Sequence, residues 1–205
     1  RIRTALKSYF ERGETPLNGD GRRRTDTRDR LRDYALRGKL LRGALVPFAY
    51  RLFSTDTQIP SACIEAGVAM ELLQTFLLIH DDIMDQDTMR RGVRAMHDQY
   101  RASVHRTGVS EKRAKQYGVS MGICSGDIAA FTAMHILSEL RTEPGIRSRV
   151  VELVSREIVE VGLAQMQDVH LGYVAEAGVQ AVLDVYTFKT GRYTFSLPLA
   201  IGAII

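Results

Sequence analysis

The 205-residue sequence has only two cysteines, Cys63 and Cys124, far apart and without CxxC spacing. That argues against a disulfide framework and a thiolate zinc site, and it predicts a reducing, cytoplasmic setting. Prolines number five. Pro16, Pro60 and Pro144 fall where helices are expected to begin or end, while Pro47 and Pro198 lie inside helical patterns and predict a kink or an early turn. No alternating strand pattern, Asn-Gly hairpin signal or internal repeat is visible. The longest apolar runs are short and interrupted beside the roughly 20 residues that a bilayer crossing needs, so no membrane insertion is expected. No signal peptide is recognisable, and no Ser-His-Asp or Cys-His arrangement stands out.

What is present reads as helix. An apolar share of 45% and a charged share of 25% belong to a globular chain, long enough for one domain over residues 1–205. Apolar residues recur at helical spacing, as in the stripes Val150, Val154, Ile158, Val161 and Cys124, Ile128, Phe131, Met134. The expected helices span 2–12, 27–38, 41–54, 61–87, 111–140, 145–172, 178–190 and 192–205, with 88–107 a mostly irregular connection. Arg22, Arg23 and Arg24, beside Gly19 and Gly21, read as a solvated loop. The fold class that follows is all-α, an antiparallel multi-helix bundle with the apolar segment 61–80 at its centre. The sequence closes on FSLPLAIGAII, an apolar stretch that predicts further helices to cover it. The net charge of +4 suits an anionic small molecule as well as nucleic acid.

The chemistry concentrates in HDDIMDQDTMRRG, residues 80–92, which follows the apolar run ELLQTFLLI. Asp81, Asp82 and Asp85 stand at i, i+1 and i+4, so a helix places Asp81 and Asp85 one turn apart on one face. Hard oxygen donors with no imidazole or thiolate around them favour magnesium over zinc. An EF-hand loop is excluded, because its glycine and distal glutamate are missing. A solvated acidic helix end would give DxxxD equally well, but the basic neighbours speak against it. Arg90 and Arg91 follow within a turn or two, Lys39 and Arg42 form a second pair at an expected helix start, and FKTGR at 188–192 supplies Lys189 and Thr190. FKTGR is no P-loop, since no Gly-rich strand-to-helix turn precedes it. Several cationic sites around one magnesium site imply more than one phosphate-bearing group. His80 reads as a hydrogen-bonded neighbour of the site and not as a ligand.

DDIMDQDTMRRG resembles the first aspartate-rich motif of the trans-isoprenyl diphosphate synthases, DDxxD followed by RRG. GKLLRG resembles that family's GKxxRP, QMQD at 165–168 its QxxD, FKT its helical Lys-Thr, and Gly126-Asp127 its recurrent Gly-Asp, all in the family's order. The resemblance implies an isoprenoid synthase fold around a central apolar cavity. It implies that Asp81 and Asp85, with Asp82 in support, bind magnesium ions that grip an allylic diphosphate, which Arg90 also contacts. It places Lys39, Arg42, Gln74 and Arg91 on the diphosphate of isopentenyl diphosphate. It sets Lys189, Thr190 and Gln165 near the bond that ionises, with Asp168 a helper in the same cavity. A homodimer is implied as well, and no nucleic-acid partner.

Gly43 stands where the family has proline, Leu40 where it has a basic residue, and Ala164 where a glycine precedes the glutamine. The family's second aspartate-rich motif is not among these residues, so the expectation is a chain lacking its C-terminal helices, or else a non-catalytic, prenyl-diphosphate-binding subunit of a heteromeric synthase. A class I terpene cyclase also uses DDxxD, but it has one diphosphate to bind and no need of Lys39, Arg42 and Arg91 as a separate anion site. Product length is expected to rest on Phe76 and Leu77, five and four places before Asp81. An aromatic at the fifth place alone resembles the twenty-carbon synthases, which implies geranylgeranyl diphosphate with farnesyl diphosphate as a minor product.

Overall fold

Burial at every third or fourth residue shapes the first two helices. In α1 (Ile2–Glu11) the inward residues are Ile2, Leu6 and Phe10; in α2 (Arg22–Leu36) they are Thr27, Leu31, Tyr34 and Ala35. The computed structural model describes residues 1–12, 21–174 and 178–205. Pro16 and Gly19 lie outside the described residues. Arg22, Arg23 and Arg24 are solvated as expected, but they belong to the first turn of α2 and not to a loop. Arginine is a good helix former, and ion pairs at i, i+4 (Asp26–Arg30) and i, i+3 (Asp29–Arg32) line the same helix.

The remaining helices are α3 (Leu41–Phe53), α4 (Ser61–Met84), α5 (Met96–His105), α6 (Glu111–Ser138), α7 (Pro144–Leu171), α8 (Val179–Val185) and α9 (Leu197–Ile204). A π-helical segment, Tyr186–Ser196, joins the last two. Pro60 and Pro144 do mark helix starts, Pro47 sits within α3, and Pro198 lies in the first turn of α9. The break expected at Gly191 is absorbed into the π-helical segment, whose wider turns let the chain continue without a loop.

The chain forms two compact units, residues 1–40 with 71–134 and residues 41–70 with 135–205. In the second unit α3 packs on α9 at backbone distance. A Cβ at Gly202 would overlap the Val46 carbonyl oxygen and meet Ala49 Cβ at 2.8 Å, so only glycine permits that approach. Glu65 also binds Arg141 there, through both the backbone amide at 3.2 Å and the guanidinium at 2.6 Å.

In the first unit, residues 88–107 are more regular than expected. They hold a two-stranded antiparallel hairpin, β1 (Met89–Arg90) and β2 (Val93–Arg94), and then α5. The inward residues of α5 are Met96, His97, Asp98 and Tyr100, half of them polar, which is why no apolar stripe announces this helix. Asp98 is held by Arg94 and, at 2.5 Å, by Arg101; burial pushes its carboxyl up, yet these bonds and charges outweigh that and keep it below the ordinary carboxylate range. On α6 the apolar reading is inverted. Gly118, Gly122, Ser125, Gly126 and Ala129 face inward, whereas Tyr117, Ile123, Cys124 and Phe131 face out, Phe131 with 75% exposure. The glycines admit neighbours at backbone distance: the His97 carbonyl and Arg101 at Gly118, Ile83 at Gly122 and His80 at Gly126.

Both α4 and α6 are long and apolar enough to cross a membrane by length and composition, contrary to the expectation of no such stretch, because the interruptions are too few to lower the mean hydropathy of the whole helix. Of the α4 window, 67% is buried inside the protein, as befits a core helix. Cys63 and Cys124 are free.

His97 is buried, and burial holds its imidazole below the ordinary histidine value, with Asp98 and Asp82 pulling the other way. The unfolded chain takes up a proton near pH 6.5, and the folded one does so only at lower pH, so stability is full above that value and falls as pH drops below it. Thermal unfolding midpoints at pH 7.5 and pH 5.5 should therefore separate by less in His97→Gln than in the parent. An unchanged separation would remove His97 as the cause.

Candidate active site

The end of α4 carries the acidic motif, and its stop is specific. Asp85 N–H donates to the Asp81 carbonyl at 2.9 Å, Gln86 N–H to Ile83 at 3.3 Å, and Asp87 N–H to Asp82 at 2.9 Å, with Gln86 in the left-handed region at φ 58°. This is a Schellman termination with Asp85 as the C-cap. Regular helix ends three residues before the expected Asp87, yet the Asp85–Asp81 bond keeps those two residues one turn apart. Four aspartates (81, 82, 85 and 87) thus stand at the negative end of a helix dipole, an arrangement that calls for cations.

The hairpin supplies the first of them. Its two-residue loop is Arg91-Gly92, with φ values of 52° and 77°, and Arg90 pairs with Val93 across it. Positive φ at both loop residues is the type I′ pattern, which matches the twist of the strands and explains a glycine after two arginines. Arg90, half-buried, turns back to Asp82 and to Asp87 at 3.1 Å. Arg91 lies against Gly38, where an added Cβ would stand 2.7 Å from Nη1. The GK and RRG motifs therefore meet at Gly38, beside exposed Lys39. Arg3 donates to the carbonyls of Leu36 and Gly38, fixing the same turn from α1.

Asp82 is placed differently from the expectation of a metal carboxylate. Its side chain is fully buried, Oδ2 accepts from the Tyr34 hydroxyl at 2.6 Å, and Oδ1 accepts from Arg90. Burial pushes the Asp82 carboxyl up, against the opposing pull of these two bonds. The Tyr34 phenol is raised far above its ordinary range, by burial first and then by Asp82, so it stays protonated and donates. Arg90 remains charged. Asp81 is half-buried and Asp85 exposed.

Among the described residues no three His, Cys, Asp or Glu side chains form a metal cage. Magnesium does not need one, since it keeps several waters and is held by one or two carboxylates together with substrate phosphates. Asp81 and Asp85, all-oxygen donors one turn apart, fit that chemistry. His80 sits beside them as expected of a neighbour: Nε2 lies 3.2 Å from the Ile123 carbonyl and 3.5 Å from Asp127, and the Phe76 ring meets its edge at 4.8 Å between centroids. Gly126 is the residue that makes room for this ring, so the Gly-Asp pair serves to seat His80. Gln74, on α4, has its side-chain oxygen buried with no hydrogen-bond donor among the described residues. Phe76 and Leu77 are half-buried.

The second unit holds the other expected residues. Lys189 Nζ donates to Asp168 Oδ2 at 2.7 Å, so the FKT and QxxD motifs meet there. Thr190 is exposed and Gln165 half-buried. Arg42 donates to Thr194 Oγ1 at 2.5 Å and lies 4.7 Å over the Tyr193 ring, against the end of the π-helical segment. Two positions were not foreseen. Glu157 takes the inward place expected for Ile158 on α7 and binds Arg192 through both carboxylate oxygens, at 3.1 and 2.5 Å. Arg192 also covers the Phe188 ring at 4.9 Å. Tyr34 was missed too, since a lone tyrosine in an arginine-rich helix gives no signal. Glu157 could have been found by its helical spacing, three places after Val154 and four before Val161, which puts it on their buried stripe.

Residues 27–205 match the polyprenyl synthetase family model. The chain is similar to geranylgeranyl diphosphate synthase of Sulfolobus acidocaldarius, 30% identical over 170 residues, which cover 82% of this chain and 45% of that protein. It is also similar to farnesyl diphosphate synthase of Geobacillus stearothermophilus, 26% identical over 199 residues, covering 93% of this chain and 57% of the relative. The structure matches geranylgeranyl pyrophosphate synthase of Corynebacterium glutamicum, solved with isoprenyl diphosphate and magnesium, at a TM-score of 0.89 and 26% identity, over 99% of this chain and 58% of that one. The chain spans about half the length of the curated relatives it matches. By the family model, by these relatives and by its all-α isoprenoid synthase architecture, the chain belongs to the polyprenyl synthetase family.

Proposed function

We propose that the protein is a magnesium-dependent prenyltransferase that joins isopentenyl diphosphate to an allylic diphosphate, with geranylgeranyl diphosphate as its main product. The observation that carries this reading is the Asp81–Asp85 pair at the capped end of α4, faced by the Arg90–Arg91 hairpin. Relatives named geranylgeranyl and farnesyl diphosphate synthases support the reaction class.

In this proposal Asp81 and Asp85 hold magnesium, which supplies positive charge to the departing diphosphate when bound. Arg90 reaches the same allylic diphosphate, and Asp82 anchors Arg90 without joining the metal. Lys39, Arg42, Gln74 and Arg91 hold the diphosphate of isopentenyl diphosphate. Lys189, Thr190 and Gln165 present dipoles toward the carbon–oxygen bond that breaks, and Asp168 fixes Lys189. Apolar residues of α4 keep the allylic cation dry. The released diphosphate takes the proton, so no side-chain base is required. Incubation of the protein with labelled isopentenyl diphosphate, an allylic primer and magnesium, followed by product sizing, tests the reading directly.

Asp85→Ala should lower turnover by roughly two orders of magnitude or more, the scale for removing one preorganised electrostatic group. Because Asp85 is exposed at the negative end of α4, the same variant should unfold at an equal or slightly higher temperature. Near-normal turnover in Asp85→Ala would sink the metal assignment.

Chain length is assigned to Phe76 and Leu77, one to one and a half turns before Asp81. Phe76→Ala should lengthen the product beyond the twenty-carbon chain, and Leu77→Phe should shorten it. A product spectrum unchanged in both variants would transfer the ruler to other residues.

A homodimer in the cytoplasm completes the proposal. The outward side of α6 exposes Tyr117, Ile123 and Phe131, large apolar residues of the kind a subunit interface covers. Sedimentation should give a dimer at micromolar concentration and a shift toward monomer in Phe131→Glu. A parent protein that sediments as a monomer removes this part.

A further inference from the structure

We infer that Tyr34, which lies outside every motif above, is a positioning residue for the allylic diphosphate site, acting through Asp82 on Arg90. This rests on the prenyltransferase reading. Tyr34 is 4% exposed and donates its hydroxyl to Asp82 Oδ2 at 2.6 Å. Asp82 has no exposure at all, and its other oxygen takes Arg90. The result is a three-residue chain from α2, through the end of α4, to the base of the hairpin.

Arginine has a long side chain with much rotamer freedom, and it binds phosphate well only when its planar fork is held in place. Arg90 is held by Asp82 from within and by Asp87 at 3.1 Å from the solvent side. Among the described residues, Asp82 in turn has only Tyr34 to fix its second oxygen. Without that hydroxyl the oxygen would be buried and unsatisfied, and the carboxylate would turn or admit water, carrying Arg90 with it. A cavity of about 270 Å³ lies beside Tyr34, lined also by Asp33, Arg37, Val93 and Arg94. The hydrogen-bonded chain thus ties the hairpin to α2 where packing is interrupted.

Tyr34→Phe keeps the ring and its buried area and removes only the hydroxyl. The KM for geranyl diphosphate should rise roughly tenfold, in line with a lost hydrogen bond to a charged group, while the KM for isopentenyl diphosphate stays within about twofold. In an Arg90→Ala background the same change should add no further rise, because the route runs through Arg90. A readout independent of turnover is the 15N relaxation of the Arg90 Nε–H, which should show an ordered group in the parent and a mobile one in Tyr34→Phe. Equal rises for both substrates, full additivity with Arg90→Ala, or an Arg90 Nε–H equally ordered in both proteins would each overturn the inference. A parent protein that takes no allylic diphosphate fails the prenyltransferase reading, and the relaxation comparison then decides alone: lost order at Arg90 supports the Tyr34 route, and retained order overturns it.

Discussion

Four carboxylates at the C-terminal end of a buried helix are the constraint around which the first unit is arranged. The helix dipole and the mutual repulsion of Asp81, Asp82, Asp85 and Asp87 both oppose the placement. The fold answers with geometry. The Schellman stop at Gln86 ends the helix so that Asp85 still sits over Asp81, while Asp82 turns into the protein. The type I′ hairpin that follows returns Arg90 to the two carboxylates that do not face outward together. Glycines on α6 then let His80 and Ile83 of the same helix end lie at backbone distance, which sets the direction in which the aspartates point.

Much of the fold was legible because its helices are long and their punctuation is strong. Pro60 and Pro144 mark starts, and the boundaries of α3 and α7 fall within a residue or two of their expected places. Reading failed where burial is not apolar. The inward face of α5 carries His97 and Asp98, so the helix looked irregular. Over residues 118–129 of α6 the buried positions are glycine, serine and alanine, so the large residues Ile123 and Phe131 that dominate a hydropathy stripe turned out to face outward. A stripe of small residues shows its meaning only through close neighbours, here His97 and Arg101 of α5 and His80 and Ile83 of α4.

The site divides in the same way. Two pairings appear between motifs, Lys189 with Asp168 and Arg91 with Gly38. What pattern could not supply is the direction of a side chain. Asp82 lies between two aspartates of identical chemistry and differs from them only in pointing inward, which depends on the helix phase and on a tyrosine 48 positions earlier in the chain. Glu157 and Arg192 are a second case, because a buried acid on α7 has meaning only once a guanidinium on the π-helical segment is seen to meet it.

The buried carboxylates of Asp82 and Glu157 raise the same energetic question. A buried ion pair gains little net stability, since desolvation of the charges offsets their attraction, and apolar residues of equal volume often serve a fold as well or better. Asp82 with Arg90, and Glu157 with Arg192, are therefore poor explanations of stability. Each, however, fixes an arginine beside a segment that carries proposed chemistry, Arg90 after the acidic motif and Arg192 two residues beyond Thr190. An apolar replacement could hold the backbone but not the direction of a guanidinium. For Asp82 and Glu157 the cost of burial is met where orientation matters, and each lies next to its partner cation beside the proposed chemistry.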